Sequence, residues 1–185
     1  MTEMSVALLI LPGINGSGVE HWQSHWERAL PNARRVPEDD WDNPVCALWT
    51  AALERAVAQA GSNTLLVAHS LGCLQVAHWA ARTRLAVRGA LLVAPPDPDE
   101  PTFPSCVEGW RPLPRQRLPF PSLLVASRDD PYSKFEFSQR VASTWESQLI
   151  DLGRCGHINA SSGLGAWPAG QAFLEQLART AQPPR

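Results

Sequence analysis

No run in this chain approaches the ~18 consecutive apolar residues that a bilayer span requires. The charged fraction is only 18% and the formal net charge is -2, with no basic block that would track a phosphate backbone. Nucleic acid and membrane are therefore not expected as partners. The apolar stretch Met4 to Pro12 has Glu3 before it, no lysine or arginine ahead of it and no small-residue cleavage site behind it. It reads as a first strand and not as an export signal, so a cytoplasmic location is expected. The four cysteines, at 46, 73, 106 and 155, form no C-x-x-C pair. Free thiols are the simplest reading, with neither a disulfide framework nor a structural zinc. No repeat and no linker divides the chain. Its 185 residues and 44% apolar content fit one globular domain, 1–185, with a sizeable core.

What is present alternates. Short continuous apolar runs at Val6 to Leu11, Thr64 to Ala68, Arg88 to Ala94 and Leu123 to Ser127 fit strands buried on both faces. Ala33 to Val36 and Gln148 to Asp151 are weaker strand candidates. Between them lie helical patterns: Val19 to Leu30, with Trp22, Trp26 and Leu30 on one face; Leu71 to Arg82; Lys134 to Trp145; and a last helix opened by Pro168. Asn43-Pro44 looks like the start of a further helix ending at Gly61, with Asn as cap and Pro in the first turn. Alternation of this kind predicts an α/β fold, a parallel sheet with helices on both faces. One segment breaks the rhythm. Positions 95–121 hold nine of the 17 prolines and show no period. A loop of that length is uncommon inside a domain, and here it is expected to form a lid or a pocket wall over the carboxyl ends of the strands.

The strongest chemical signal is Ala68-His-Ser70-Leu-Gly72, set between an apolar strand and a helix. It matches the nucleophile elbow G-x-S-x-G except that Ala stands for the first Gly. Small residues are wanted there because side chains two places either side of the serine would collide in so tight a turn. A serine needs a base to remove its proton. His157 is the candidate, in a glycine-bearing loop just after the last strand. His69 adjoins the serine and reads as packed, and His78 as packing or surface. His21 and His25 have metal-compatible spacing but lack the glutamate of H-E-x-x-H and any third ligand, so no metal is expected. The orienting acid should come from Asp129-Asp130, after the strand ending at Ser127, because the order serine, acid, histidine is that of the α/β-hydrolases. Asp130 is preferred, since Pro131 favours an extended conformation for the residue before it. An oxyanion needs two amide donors. Leu71 is one, and the loop after the first strand supplies the other, Ile14 before Asn15. Asn15 also counts as a substrate-binding candidate, and Trp110 as either core or acyl-pocket lining.

These motifs together resemble the small serine hydrolases of the retinoblastoma-binding protein 9 type. The resemblance rests on Leu11-Pro-Gly-Ile-Asn-Gly16 with His21-Trp22, on Trp41-Asp-Asn-Pro44 and Trp49, and on Ala68 to Gly72. It continues in Ser127 to Pro131, Gly156 to Asn159 and Gly165 to Pro168. It implies a three-layer α/β-hydrolase fold with a six-stranded parallel sheet in the order 2-1-3-4-5-6. It also implies a triad of Ser70, Asp130 and His157 that cleaves small esters or amides without a cofactor. The L-x-C-x-E segment of the mammalian namesake is missing. The nearest match, Leu71-Gly-Cys73-Leu-Gln75, ends in Gln, so no retinoblastoma-protein partner is carried over. The alternative is a non-catalytic binding protein on the same scaffold.

Overall fold

The computed structural model describes residues 6–181; Met4 and Ser5, the start of the first apolar stretch, lie outside them. Six strands form one sheet: β1 Ala7–Leu11, β2 Ala33–Arg35, β3 Thr64–His69, β4 Gly89–Val93, β5 Ser122–Ala126 and β6 Gln148–Asp151. All pairs are parallel and the order is β2-β1-β3-β4-β5-β6, as the family resemblance implied. Five helices accompany them: α1 Trp22–Ala29, α2 Cys46–Ala60, α3 Leu71–Ala80, α4 Phe135–Trp145 and α5 Pro168–Thr180. The chain leaves β1 in one direction to make β2, then returns to lay β3 on the other side of β1. That reversal opens a crevice at the carboxyl ends of β1 and β3, the place where ligands bind in sheets of this kind.

Side chains alternate across each strand and so feed two separate cores. Leu9, Leu11, Leu66, Ala68, Leu92 and Leu124 face the α2, α3 and α4 side. Leu8, Ile10, Leu65, Val67, Leu91 and Val125 face the α1 and α5 side, where Trp22, Trp26 and Trp167 gather. Burial of each large apolar side chain contributes ~1.5–3 kcal/mol. Continuous apolar strands follow directly, because neither face of the central strands meets water.

Two local expectations need correction. Asn43 does not cap α2. Its amide nitrogens, backbone and side chain, both donate to the Asp40 carboxylate. The Pro44 carbonyl is taken by the Glu108 amide at 2.9 Å and by the Trp110 indole at 3.1 Å. The helix therefore starts at Cys46, and a tertiary partner, the Glu108 carbonyl, accepts from the Cys46 amide. Likewise Trp110 does not line an acyl pocket. It is 1% exposed, packed edge-on against Trp49 and His78, and belongs to the core. The proline-rich segment has no helix or strand of its own. It is anchored from within by Trp110, Leu118 and Phe120.

Candidate active site

Ser70 sits at the bend between β3 and α3 with φ 54° and ψ -124°, a conformation that L-residues seldom adopt and that points to stored strain. Its amide donates to the Val93 carbonyl at 2.9 Å, which fixes the bend to β4. Two glycines make room for it. A Cβ on Gly72 would lie 2.3 Å from the Leu11 carbonyl oxygen, so α3 can approach the end of β1 only without a side chain there. A Cβ on Gly13 would lie 2.8 Å from Ser70 Cβ. The loop after β1 thus rests directly against the nucleophile candidate. Ala68 is fully buried on the α2 and α3 side, where a methyl group fits.

His157 reaches Ser70 from the loop after β6. The Ser70 hydroxyl donates to Nε2 at 2.9 Å. On the opposite edge of the ring, Nδ1–H donates to Asp130, at 2.8 and 2.9 Å to its two oxygens. The Asp130 side chain is 3% exposed, and the Tyr132 amide donates to it at 2.9 Å. Asp129, next in the chain, does different work. Its carboxylate accepts from the Gly156 amide and the Ser127 hydroxyl, which hold its pKa below the usual carboxylate range. The same Ser127 hydroxyl accepts from the Cys155 amide. One aspartate touches the imidazole, and its neighbour ties down the loop that carries it.

Three features had no sequence signal strong enough to single them out. His69 is buried, and its Nε2–H donates to the His157 carbonyl at 2.9 Å. Burial holds its pKa well below the ordinary imidazole value. His21 stacks edge-on against His69 with ring centres 4.6 Å apart. Its Nδ1 accepts from the Gln23 amide and caps α1, and burial lowers its pKa to about 4. Tyr132, the only tyrosine, stands edge-on to the His157 ring at 4.6 Å. Its place two residues after Asp130 was the available hint. His78 is buried and meets the Trp110 carbonyl at 3.1 Å. His25 instead contacts Arg28, on the outside of α1.

A cleft of about 320 Å³ opens over Ser70. Ile14, Asn15 and Leu71 line it. The Asn15 backbone amide already donates to the Trp41 carbonyl at 3.0 Å, which takes that N–H out of the running for an oxyanion. Outside their own helices the Ile14 and Leu71 amides have no acceptor among the described residues. Pro96, Phe103 and Pro104 bring the proline-rich segment to the opposite rim.

Comparisons with known proteins show the family. The model of a family described as serine hydrolase matches residues 8–176. The chain belongs to the serine hydrolase family. This serine hydrolase is 32% identical to a YdeN-like hydrolase from Pectobacterium atrosepticum. The TM-score is 0.84, over 96% of this chain and 92% of that one. The YdeN protein of Bacillus subtilis shares the fold at 22% identity and a TM-score of 0.77, covering 94% and 98% of the two chains. An esterase from Thermogutta terrifontis shares it at 15% identity and a TM-score of 0.68, covering 96% and 91%. No curated protein sequence matches the chain.

Proposed function

We propose that this serine hydrolase cleaves small esters or amides through an acyl-enzyme on Ser70. The supporting observation is the unbroken set of hydrogen bonds from Ser70 through His157 to Asp130 at the floor of an open cleft. Ser70 Oγ attacks the carbonyl carbon as His157 Nε2 takes the hydroxyl proton. Asp130 holds the imidazole in the Nδ1–H tautomer and stabilises its cationic form. The Leu71 and Ile14 amides receive the oxyanion, each donor being worth ~2.7–4 kcal/mol in the transition state. Collapse of the intermediate breaks the bond to the leaving group, which departs with the proton from His157. Water, activated by the same imidazole, then releases the acid and restores Ser70. Within the family, the motifs favour the retinoblastoma-binding protein 9 type, and a cytoplasmic setting suits the reading.

A fluorophosphonate probe tests it. The folded protein should label at Ser70 and lose the label in Ser70→Ala. A folded protein that stays unlabelled at neutral pH would favour the binding-protein alternative.

A further inference from the structure

The cleft over Ser70 has two unlike walls, and none of the described residues lining it is an Asp, Glu, Lys or Arg. One wall is apolar: Pro96, Phe103 and Pro104 from the proline-rich segment, with Leu71 below. Phe103 and Leu71 continue into the core on the α2 and α3 side. The other wall is polar and lies on the α1 side: Ser17, His21, Asn159 and Ser161. The Trp22 indole draws these two loops together by donating to the Ile158 carbonyl at 2.9 Å.

The polar wall keeps hydrogen-bonding capacity that the protein does not use. His21 is 4% exposed, and its Nδ1 is an acceptor for the Gln23 amide, so the neutral ring carries its proton on Nε2. That Nε2–H has no partner among the described residues. A buried donor left unpaired is costly to the fold, and a ligand acceptor would offset that cost. The Asn159 side-chain oxygen accepts from the Ser161 amide, and its amide nitrogen has no acceptor among the described residues. Ser17 donates its hydroxyl proton to Gln23 and keeps its lone pairs free.

We infer that the substrate is a small, uncharged ester of a hydroxylated alcohol, with its acyl chain against Phe103 and its alcohol against His21, Asn159 and Ser161. This rests on the hydrolase reading above and adds the substrate class. The orientation follows from proton transfer. His157 hands its proton to the departing alcohol, so the alcohol lies beside His157 and the residues that follow it. The absence of charge in the lining sets neutrality, because an ionic headgroup entering it would lose water and gain no counter-ion. The volume of about 320 Å³ sits at the small end of ligand pockets, ~300–1,000 Å³, and limits both halves to a few carbons.

Four butyrate esters of the purified protein's own turnover settle the matter: glyceryl, propyl, choline and carboxymethyl. Glyceryl butyrate should exceed propyl butyrate in kcat/KM by about tenfold, the value of one or two neutral hydrogen bonds. Both charged esters should fall below propyl. His21→Asn keeps an oxygen to cap α1 and removes the Nε2–H, and Ser161→Ala removes a hydroxyl from an exposed position. Both should pull the glyceryl-to-propyl ratio towards one, His21→Asn further. Turnover without preference among the four, preference for a charged ester, or a ratio that neither variant moves would overturn the assignment and leave the hydrolase reading standing. No turnover of any ester, with Ser70 refusing the fluorophosphonate, would overturn both.

Discussion

The two sides of the cleft are held in place by different balances of hydrogen bonding and apolar burial. The side bearing the reactive groups is a lattice of short hydrogen bonds and left-handed backbone turns. Asn15, Ser17, Ser70 and Ile158 all have positive φ, and Gly153 and Gly156 do as well. Both ring nitrogens and the carbonyl of His157 are partnered, as are the Cys155 and Gly156 amides of its loop. The proline-rich side also makes hydrogen bonds, to Pro44, Tyr132 and Trp145 among others, but none to the reacting groups, and it is anchored by apolar mass, with Trp110, Leu118 and Phe120 sunk in the core. Hydrogen bonds fix atoms to tenths of an ångström, which proton transfer demands. Apolar burial fixes a surface, which is enough for a wall. Damage to the first side should therefore appear in rate, and damage to the second in stability.

The largest effect should come from the paired aspartates. Asp130→Asn should lower kcat by about 10⁴-fold, because the amide favours the wrong imidazole tautomer. Asp129→Asn should cost only about tenfold, by loosening the loop that Gly156 and Ser127 tie down. Both variants should melt near the wild type. Equal losses would mean that the two carboxylates share one task, and the division drawn between them would fail.

Trp110→Ala attacks the other side. Removing a fully buried indole should cost ~3–5 kcal/mol of stability and a Tm fall of roughly 10 °C or more. At a temperature where the variant is folded, kcat on a small ester should change far less than in Asp130→Asn. A stable, inactive Trp110→Ala would place that ring in the chemistry after all.

Gly13→Ala is milder and probes the seam between the sides. Its methyl would press on Ser70 Cβ at 2.8 Å, so loop or serine must shift. A loss of about 10- to 100-fold in kcat, with a Tm change under a few degrees, is expected from misplacing reacting atoms by a fraction of an ångström. Unaltered kcat would show that the loop gives way freely and that its contact with Ser70 is incidental.

The same contrast explains what could be read from the chain. The strand order came only with the family resemblance, whereas the parallel sheet with helices on both faces followed from apolar runs alternating with helical periods. Those signals are local and strong. Ser70, Asp130 and His157, which the structure brings together, could be picked out because each lies at or within a short loop of a strand's carboxyl end, and strand ends converge in this architecture. Asn43 misled, since its capping preference yielded to Asp40, a partner whose proximity no periodicity reports. Trp110 stayed ambiguous because a tryptophan among prolines carries no period, and only the docking of Pro44 reveals which way it faces. His21 and Tyr132 act through ring contacts with residues far away in sequence, and spacing rules do not register those.

The smallest effect concerns pH and separates the two faces of the sheet. On the α1 side, His21 and His69 are held neutral by burial, His21 with its pKa lowered to about 4. A depressed imidazole adds stability above its ordinary value near 6.5, and this is lost as pH falls towards 4, where the unfolded chain binds protons that the fold refuses. On the α2 and α3 side the sign is reversed. Glu38 is raised to about 8 by burial, against an accepted hydrogen bond from Gln75 at 2.7 Å that favours its charged form. Its contribution is complete below the ordinary value near 4.5 and is lost as pH rises through 8, because the unfolded chain releases a proton that the fold retains. Gln75 Oε1 has no partner among the described residues, so a neutral amide at position 38 offers it a donor. Glu38→Gln should therefore melt above the wild type at pH 9 by a few degrees, each ~1 kcal/mol being worth ~2–4 °C at this chain length. The gain should shrink at pH 5, and below pH 4.5, where Glu38 is protonated in both states, the acid limb should run parallel in both proteins. A gain equal at pH 5 and pH 9 would assign the effect to packing and remove Glu38 from the alkaline limb.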